Sequence, residues 1–362
     1  MNIPLVKVGL PPVNELMPAL EDVLYSGMIA EGEAVYQFEH EFKNSFGIKC
    51  GISMSSGTAA LHAALFLSGV KAGDEVITTS MTAEPTNTTI LQVGAKPVFA
   101  DVDVYNGNIS PESIENKITS KTKAILIVHY AGYPVQLAKI KKIADVNGLK
   151  LIEDCAHALG AKYNNAPIGS YGDFSIFSFQ AIKHMTTIDG GFLVIKDEKN
   201  LLRAKKFRWF GMEKGVARTE VDITELGYKY NMQNISATLG LNQLKYINQR
   251  INIHIDNGKY FNEKLSEIKG LKIAKFDDNA EPSYWLYTLL TDNSDDVIST
   301  LTENGIMASK LHRPNHYHTI FTAFAGELPQ LEQFYTSLVH IPCGWWVSEC
   351  DRERIANILK KG

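Results

Sequence analysis

Cysteine is sparse in this chain. Four stand in 362 residues, at Cys50, Cys155, Cys343 and Cys350, without the paired spacing of a metal knuckle. Scattered thiols do not build a disulfide framework and read as reduced cysteines of a cytoplasmic protein. Charge of one sign is not in excess either: the formal net charge is −4 and no basic stripe appears, so nucleic acid is not the expected partner. No apolar run approaches the length of a membrane span. The opening MNIPLVKVGLPP lacks the basic start and long apolar stretch of a secretory signal, so neither membrane nor export is expected. Repeats and low-complexity tracts are missing as well.

What is present is an ordinary globular composition, 45% hydrophobic and 21% charged, in a chain long enough to divide into two domains. Short β-rich runs recur: Glu75 to Thr79, Lys96 to Asp101, Lys123 to Tyr130, Leu149 to Asp154, Phe174 to Phe179 and Gly191 to Ile195. Stretches with helical spacing separate them, such as Leu137, Ile140, Ile143 and Ala144. This alternation predicts an α/β fold with a mostly parallel sheet between helices, whose ligands sit beyond the carboxyl ends of the strands. Past about Gly240 the pattern changes to a long helical stretch, a strand-like run from Tyr284 to Leu290 and a helical DDVISTLTENGI. The expected division is 1–245 for a large domain and 246–362 for a smaller α+β one.

Three segments suggest chemistry at those strand ends. In SMSSGTAALHAAL, from Ser53 to Leu65, serines and Gly57 precede a helix marked by Leu61, Ala64 and Leu65. A helix start offers unpaired N–H groups and a positive dipole end to an anion, although Ser-Gly-Thr alone reads more simply as an N-cap. In LKLIEDCAHA, Asp154 closes an apolar strand and His157 follows three residues later. That carboxylate caps the next turn or holds a proton on a cofactor ring nitrogen, and the histidine is either structural or stacks on a flat ring. In FSFQAIKHMTTIDGG, Lys183 follows the strand end at Ser178 across a short turn. A lysine in a pocket loses hydration, and its neutral amine then attacks an aldehyde.

Together with GMIAEGEAVYQFEHEF, GAKPVFADVD, K-x-x-TT-x-DGG and GYKYNM, these motifs make nearly the whole chain resemble the sugar aminotransferases of the DegT/DnrJ/EryC1/StrS group. The resemblance implies a fold-type I architecture, pyridoxal 5′-phosphate as cofactor, and a homodimer with shared active sites. By position, Lys183 would hold the cofactor covalently and Asp154 would face its ring nitrogen. His157 would lie beside the ring, and Gly57, Thr58 and Ser178 would hold the phosphate. Lys229, in GYKYN, stands where the family supplies an asparagine to the partner's cofactor phosphate. Arg313 and His316 match positions close to a sugar nucleotide. The implied reaction converts a nucleotide-linked keto sugar, in the style of the 4-keto-6-deoxy sugars, to its amino sugar, with L-glutamate as donor.

Two further departures stand out. Ala83 replaces a common aromatic residue, so stacking on the outer ring face has to come from elsewhere, and Asp189 replaces a glutamate. Related dehydratases carry a histidine in place of the lysine. Lys183 and not His184 stands five residues after Ser178, so the aminotransferase is preferred over that lyase. It is preferred also over a 3-keto sugar enzyme and over a non-catalytic sugar-nucleotide-binding regulator. His312, His316 and His318 have no carboxylate or cysteine pairing and are not read as a metal site. Trp345 and Trp346 are read as packing.

Overall fold

The computed structural model describes residues 2–361. Seven strands form the main sheet, in the spatial order Gly51–Met54, Gly191–Ile195, Phe174–Ser178, Lys150–Asp154, Thr122–Val128, Glu75–Thr79, Lys96–Ala100. Neighbours pair in parallel except around Gly191–Ile195, which runs antiparallel to both of its partners. These strands are short apolar runs buried on both faces, the pattern of a sheet covered by helices on each side. Phe38 and Phe42 from the helix Glu33–Phe46 and Leu137 and Ile140 from the helix Leu137–Val146 pack into one core. The nearly all-buried helix Gly57–Leu67 fills the other.

The 32-residue helix Asn234–Leu265 then leads to a second sheet of three antiparallel strands, Leu271–Ile273, Tyr287–Thr291 and Leu338–Ile341. Residue 245, where the sequence pattern changes, lies inside this helix. The chain's start returns to this later unit. Ile3 bridges to Ile306, its N–H donating to the Gly305 carbonyl at 2.8 Å, and the Trp346 indole donates to the Pro4 carbonyl at 2.8 Å. That bond and the cations near Trp345 account for both tryptophans as packing. Among the described residues no helix is long and apolar enough to cross a membrane.

The turn at the base of the Gly57 helix explains the glycine pair. Ser56 caps the helix, its Oγ accepting from the Ala59 N–H at 3.0 Å. A Cβ on Gly191 would stand 2.5 Å from the Ser56 carbonyl oxygen and 2.7 Å from the Gly57 nitrogen. The close approach Gly191 permits is therefore to backbone behind the helix start, whereas Gly190 is packed against the Thr187, Met232 and Phe179 side chains.

Candidate active site

The carboxyl ends of three parallel strands open into a cleft of about 310 Å³, at the small end for ligand sites. Its walls include Ser56, Gly57, Thr58 and Ser178 at one end, Asp154 and Lys183 along the floor, and His157, Trp285 and His312 on the side of the second unit. The structure thus brings six of the nine expected residues together in one place: Gly57, Thr58, His157 and Ser178 with Asp154 and Lys183. It adds Thr86, Trp285 and His312.

Each is placed by its element. The pairing register sets Val128, Asp154 and Ile176 side by side at the sheet edge. Alternation along the strand sends Glu153 to the opposite face from Asp154. Asp154 Oδ2 accepts from the Thr86 hydroxyl at 2.9 Å and Oδ1 from the Ala156 N–H at 3.1 Å. Burial pushes its carboxyl above the ordinary range, while those two hydrogen bonds and the nearby Lys183 pull the other way. A cation placed against it would relieve the cost of that buried charge.

Lys183 sits in a closed loop. The Phe179 N–H donates to the Gly190 carbonyl at 2.8 Å and the Thr187 N–H to the Phe179 carbonyl at 3.0 Å. Thr186 Oγ1 adds a bond to the same carbonyl at 3.2 Å, so the two threonines fasten the loop's base. Burial lowers the Lys183 amine to about 8, against the opposing pull of Asp154. Near neutrality a tenth or so of the amine is then unprotonated and nucleophilic, far more than on a surface lysine.

At the other end, a Cβ on Gly57 would lie 2.9 Å from the Ser178 Cβ, so only glycine lets the helix start meet the strand end. The first N–H groups of the helix have no intrahelical partner and face the same corner as the Ser178 hydroxyl. Such a corner is able to hold an anion. His157 is buried with Nδ1 unpartnered among the described residues, and burial, then the Lys183 charge, pushes it well below its ordinary value. Its ring stacks on Trp285 with centres 4.0 Å apart and planes at 19°. Ala83 lines the cleft as the residue before the helix Glu84–Gln92 and offers no aromatic face.

Three expected residues lie elsewhere in the chain's own fold. Lys229 Nζ rests 3.8 Å from the centre of the Trp209 ring, with Lys214 also against that ring. Arg313 is exposed beside Tyr317. His316 is held between Ser80 Oγ at 2.7 Å and Glu332 at 3.2 Å. His184 points away from the cleft to the Ser283 carbonyl, whereas Lys183 lines it. Trp285 was concealed in a run read as one strand from Tyr284. The strand begins at Tyr287, and the turn before it aims the indole inward. A Tyr-Trp pair after Pro-Ser was the only hint.

His129, Glu153 and Cys155 lie close enough together to suggest a metal. The Val135 N–H donates to His129 Nδ1, so the ring proton is on Nε2 and is given to Glu153 at 3.2 Å. That nitrogen has no lone pair for a metal. Burial pushes Glu153 up, but the bonds from His129 and the Gly172 and Gly169 N–H groups outweigh it and hold its carboxyl below the ordinary range. The group is a closed structural network behind Asp154.

Residues 13–360 match the DegT/DnrJ/EryC1/StrS aminotransferase family. A UDP-4-amino-4-deoxy-L-arabinose–oxoglutarate aminotransferase of Shewanella sediminis is 34% identical over 88% of this chain and 87% of its own. A GDP-perosamine synthase of Vibrio cholerae is 30% identical over 94% of each. The crystal structure of the sugar aminotransferase CalS13 from Micromonospora echinospora superposes with a TM-score of 0.96, at 33% identity, over 99% of this chain and 100% of that one.

Proposed function

Because the chain belongs to the DegT/DnrJ/EryC1/StrS aminotransferase family, we propose that it aminates a nucleotide-linked 4-keto-6-deoxy sugar at C4 with L-glutamate as donor. The protein is a transaminase and its cofactor is pyridoxal 5′-phosphate. The observation that carries the reading is the single cleft holding a lysine amine lowered to about 8, a buried strand-end carboxylate and a helix-start cradle.

The residues fit that cofactor. Gly57 and Thr58 N–H groups and the Ser178 hydroxyl hold its phosphate dianion. Asp154, a buried carboxylate at the strand end, would keep the ring nitrogen protonated. The His157 ring, fixed against Trp285, would lie beside the cofactor ring. When bound, the cofactor supplies an aldehyde for carbon–nitrogen exchange and a cationic ring that accepts electrons. Lys183 Nζ first holds the cofactor. When free, the same nitrogen would be the base that takes a proton from the donor's α-carbon and the acid that gives it back. The relatives named for UDP- and GDP-linked amino sugars support the substrate class.

Purified protein with glutamate and a panel of dTDP-, UDP- and GDP-linked 4-keto-6-deoxy sugars should give one amino sugar by mass spectrometry, with matching 2-oxoglutarate. Deoxygenated product or none from any panel member would contradict the reading.

The proposed assembly is a homodimer in which Lys229 completes the partner's site. Exposed Val13, Met17, Leu24 and Tyr25 on the first helix, with Met28 and Ile29 after it, are apolar surface in want of cover. Lys183→Ala and Lys229→Ala subunits mixed under exchange should form hybrids with one doubly damaged site and one intact site. Activity should reappear in them. Hybrids shown to form but remaining inactive would place Lys229 outside any shared site.

A further inference from the structure

Trp285 has no part in the chemistry above, yet the reactive amine rests against it. Lys183 Nζ lies 4.1 Å from the indole centre. The indole N–H donates to the carbonyl of Ile182, the residue before the lysine, at 3.0 Å. His184, the residue after it, donates from Nε2 to the Ser283 carbonyl at 3.2 Å. The loop is therefore tied to the Trp285 segment on both sides of Lys183.

That segment is braced. Tyr284 has φ +46°, a left-handed conformation that bulky residues hold only under constraint. The constraints are visible. The Ser283 N–H donates to Gly132 at 3.0 Å and the Leu286 N–H to Ala131 at 3.2 Å. His254 Nδ1 donates to the Tyr284 carbonyl at 2.8 Å. Gly132 itself has φ +95°, and a Cβ there would lie 2.7 Å from the Trp285 nitrogen. A strained, fully tied turn delivers one side chain to one place, and the side chain is this indole.

We propose that Trp285 is a positioning residue for Lys183: its indole is the seat that holds the ammonium form whenever the amine is not covalently engaged. The inference rests on the transaminase reading and deepens it. Once the free amine has taken up a proton it has to stay within reach of the carbon that receives it back, and its four-carbon stem does not keep it there unaided. The ring attracts the ammonium and not the neutral amine, so it retains the proton that burial tends to remove.

The test uses the full chain freed of cofactor, as wild type, Trp285→Leu and Trp285→Phe. Lys183 is methylated with formaldehyde and cyanoborohydride, and the modified peptide is followed by mass spectrometry across pH. Leucine keeps the burial and removes the aromatic face, so the Lys183 midpoint should fall by roughly 0.5–1.5 pH units. Phenylalanine should fall less. A tryptophan with a merely structural role would change the melting temperature and leave the midpoint in place. An unmoved or raised midpoint in Trp285→Leu overturns the proposal, and if that variant does not fold, an unmoved or raised midpoint in Trp285→Phe does so. Borohydride reduction of the wild-type holoenzyme separates the two ideas. No cofactor fixed to Lys183 refutes the transaminase reading and the seat together. A normal link beside an unmoved midpoint refutes the seat alone.

Discussion

Lys183→Ala is expected to abolish turnover and to leave no borohydride-reducible cofactor on the chain. The loss of proton transfer alone should cost roughly 10²–10⁴-fold in rate, and the loss of covalent capture adds to it. The amine's value of about 8 also sets how capture depends on pH. Wild-type protein freed of cofactor should recapture it faster as pH rises and level off above about 8, as the neutral form becomes the majority. A stability effect in the same direction accompanies this. A lysine whose folded value is lowered binds its proton less well in the fold than in the unfolded chain. The fold therefore gains stability as pH rises from about 8 towards the ordinary lysine value, and carries the whole penalty below 8. Lys183→Met, which keeps the stem and drops the charge, should melt at a higher temperature than wild type at pH 7 when both are free of cofactor. A variant that transaminates fully would refute the assignment. One that melts lower would refute the buried-charge argument.

Acid should unfold this protein through its histidines. His254 is lowered to about 4 by burial, against its bond to the Tyr284 carbonyl, and His340 to about 3, against its backbone bond to Tyr287. His312, beside Lys183, is lowered to about 3 by burial and then by that charge. At pH 7 none of the three differs between folded and unfolded chains. Below the ordinary histidine value the unfolded chain takes up protons that the fold refuses, so stability falls steadily until the folded values are reached. For His254 and His340, both buried, the cost at pH 5 is about 2 kcal/mol each. Two such losses are a large share of a domain's stability. Glu153, held below its ordinary value, loses stability in the same direction, and Asp154, held above its own, opposes it. Urea midpoints at pH 7 and pH 5 should show the fall. His340→Gln should be weaker at pH 7 yet lose less between the two pH values, by about 2 kcal/mol. An equal fall in both proteins would rule out His340 as a source.

The strands bearing the site were legible because each is a short continuous apolar run, and a run buried on both faces leaves few other readings. Glu75–Thr79 and Gly191–Ile195 appear with the bounds their composition suggests. The direction of Gly191–Ile195 was not legible, since an all-buried strand reads the same either way along a sheet. Asp154 and Gly57 could be found because each stands at the end of a regular element, and Lys183 because it follows one across a short turn. Thr86 could not: its hydroxyl serves a carboxylate 68 residues away, and nothing local marks it. Trp285 was hidden for another reason. Its position depends on a left-handed tyrosine, and composition gives no warning of a backbone that tertiary contacts force into that region.

The return of the chain's first residues to its last unit bears on how the protein is made. Ile306 leaves the ribosome about 300 residues after its partner Ile3. Domains generally fold in order of synthesis, so the main sheet can close while that first segment waits. Leu5, buried in the same core as Leu301 and Ile306, stays without its cover until those residues have been made. Closing so long a loop makes docking of the Ile3–Leu5 segment a late step, and in the interval this short apolar stretch is open to chaperones and to other nascent chains.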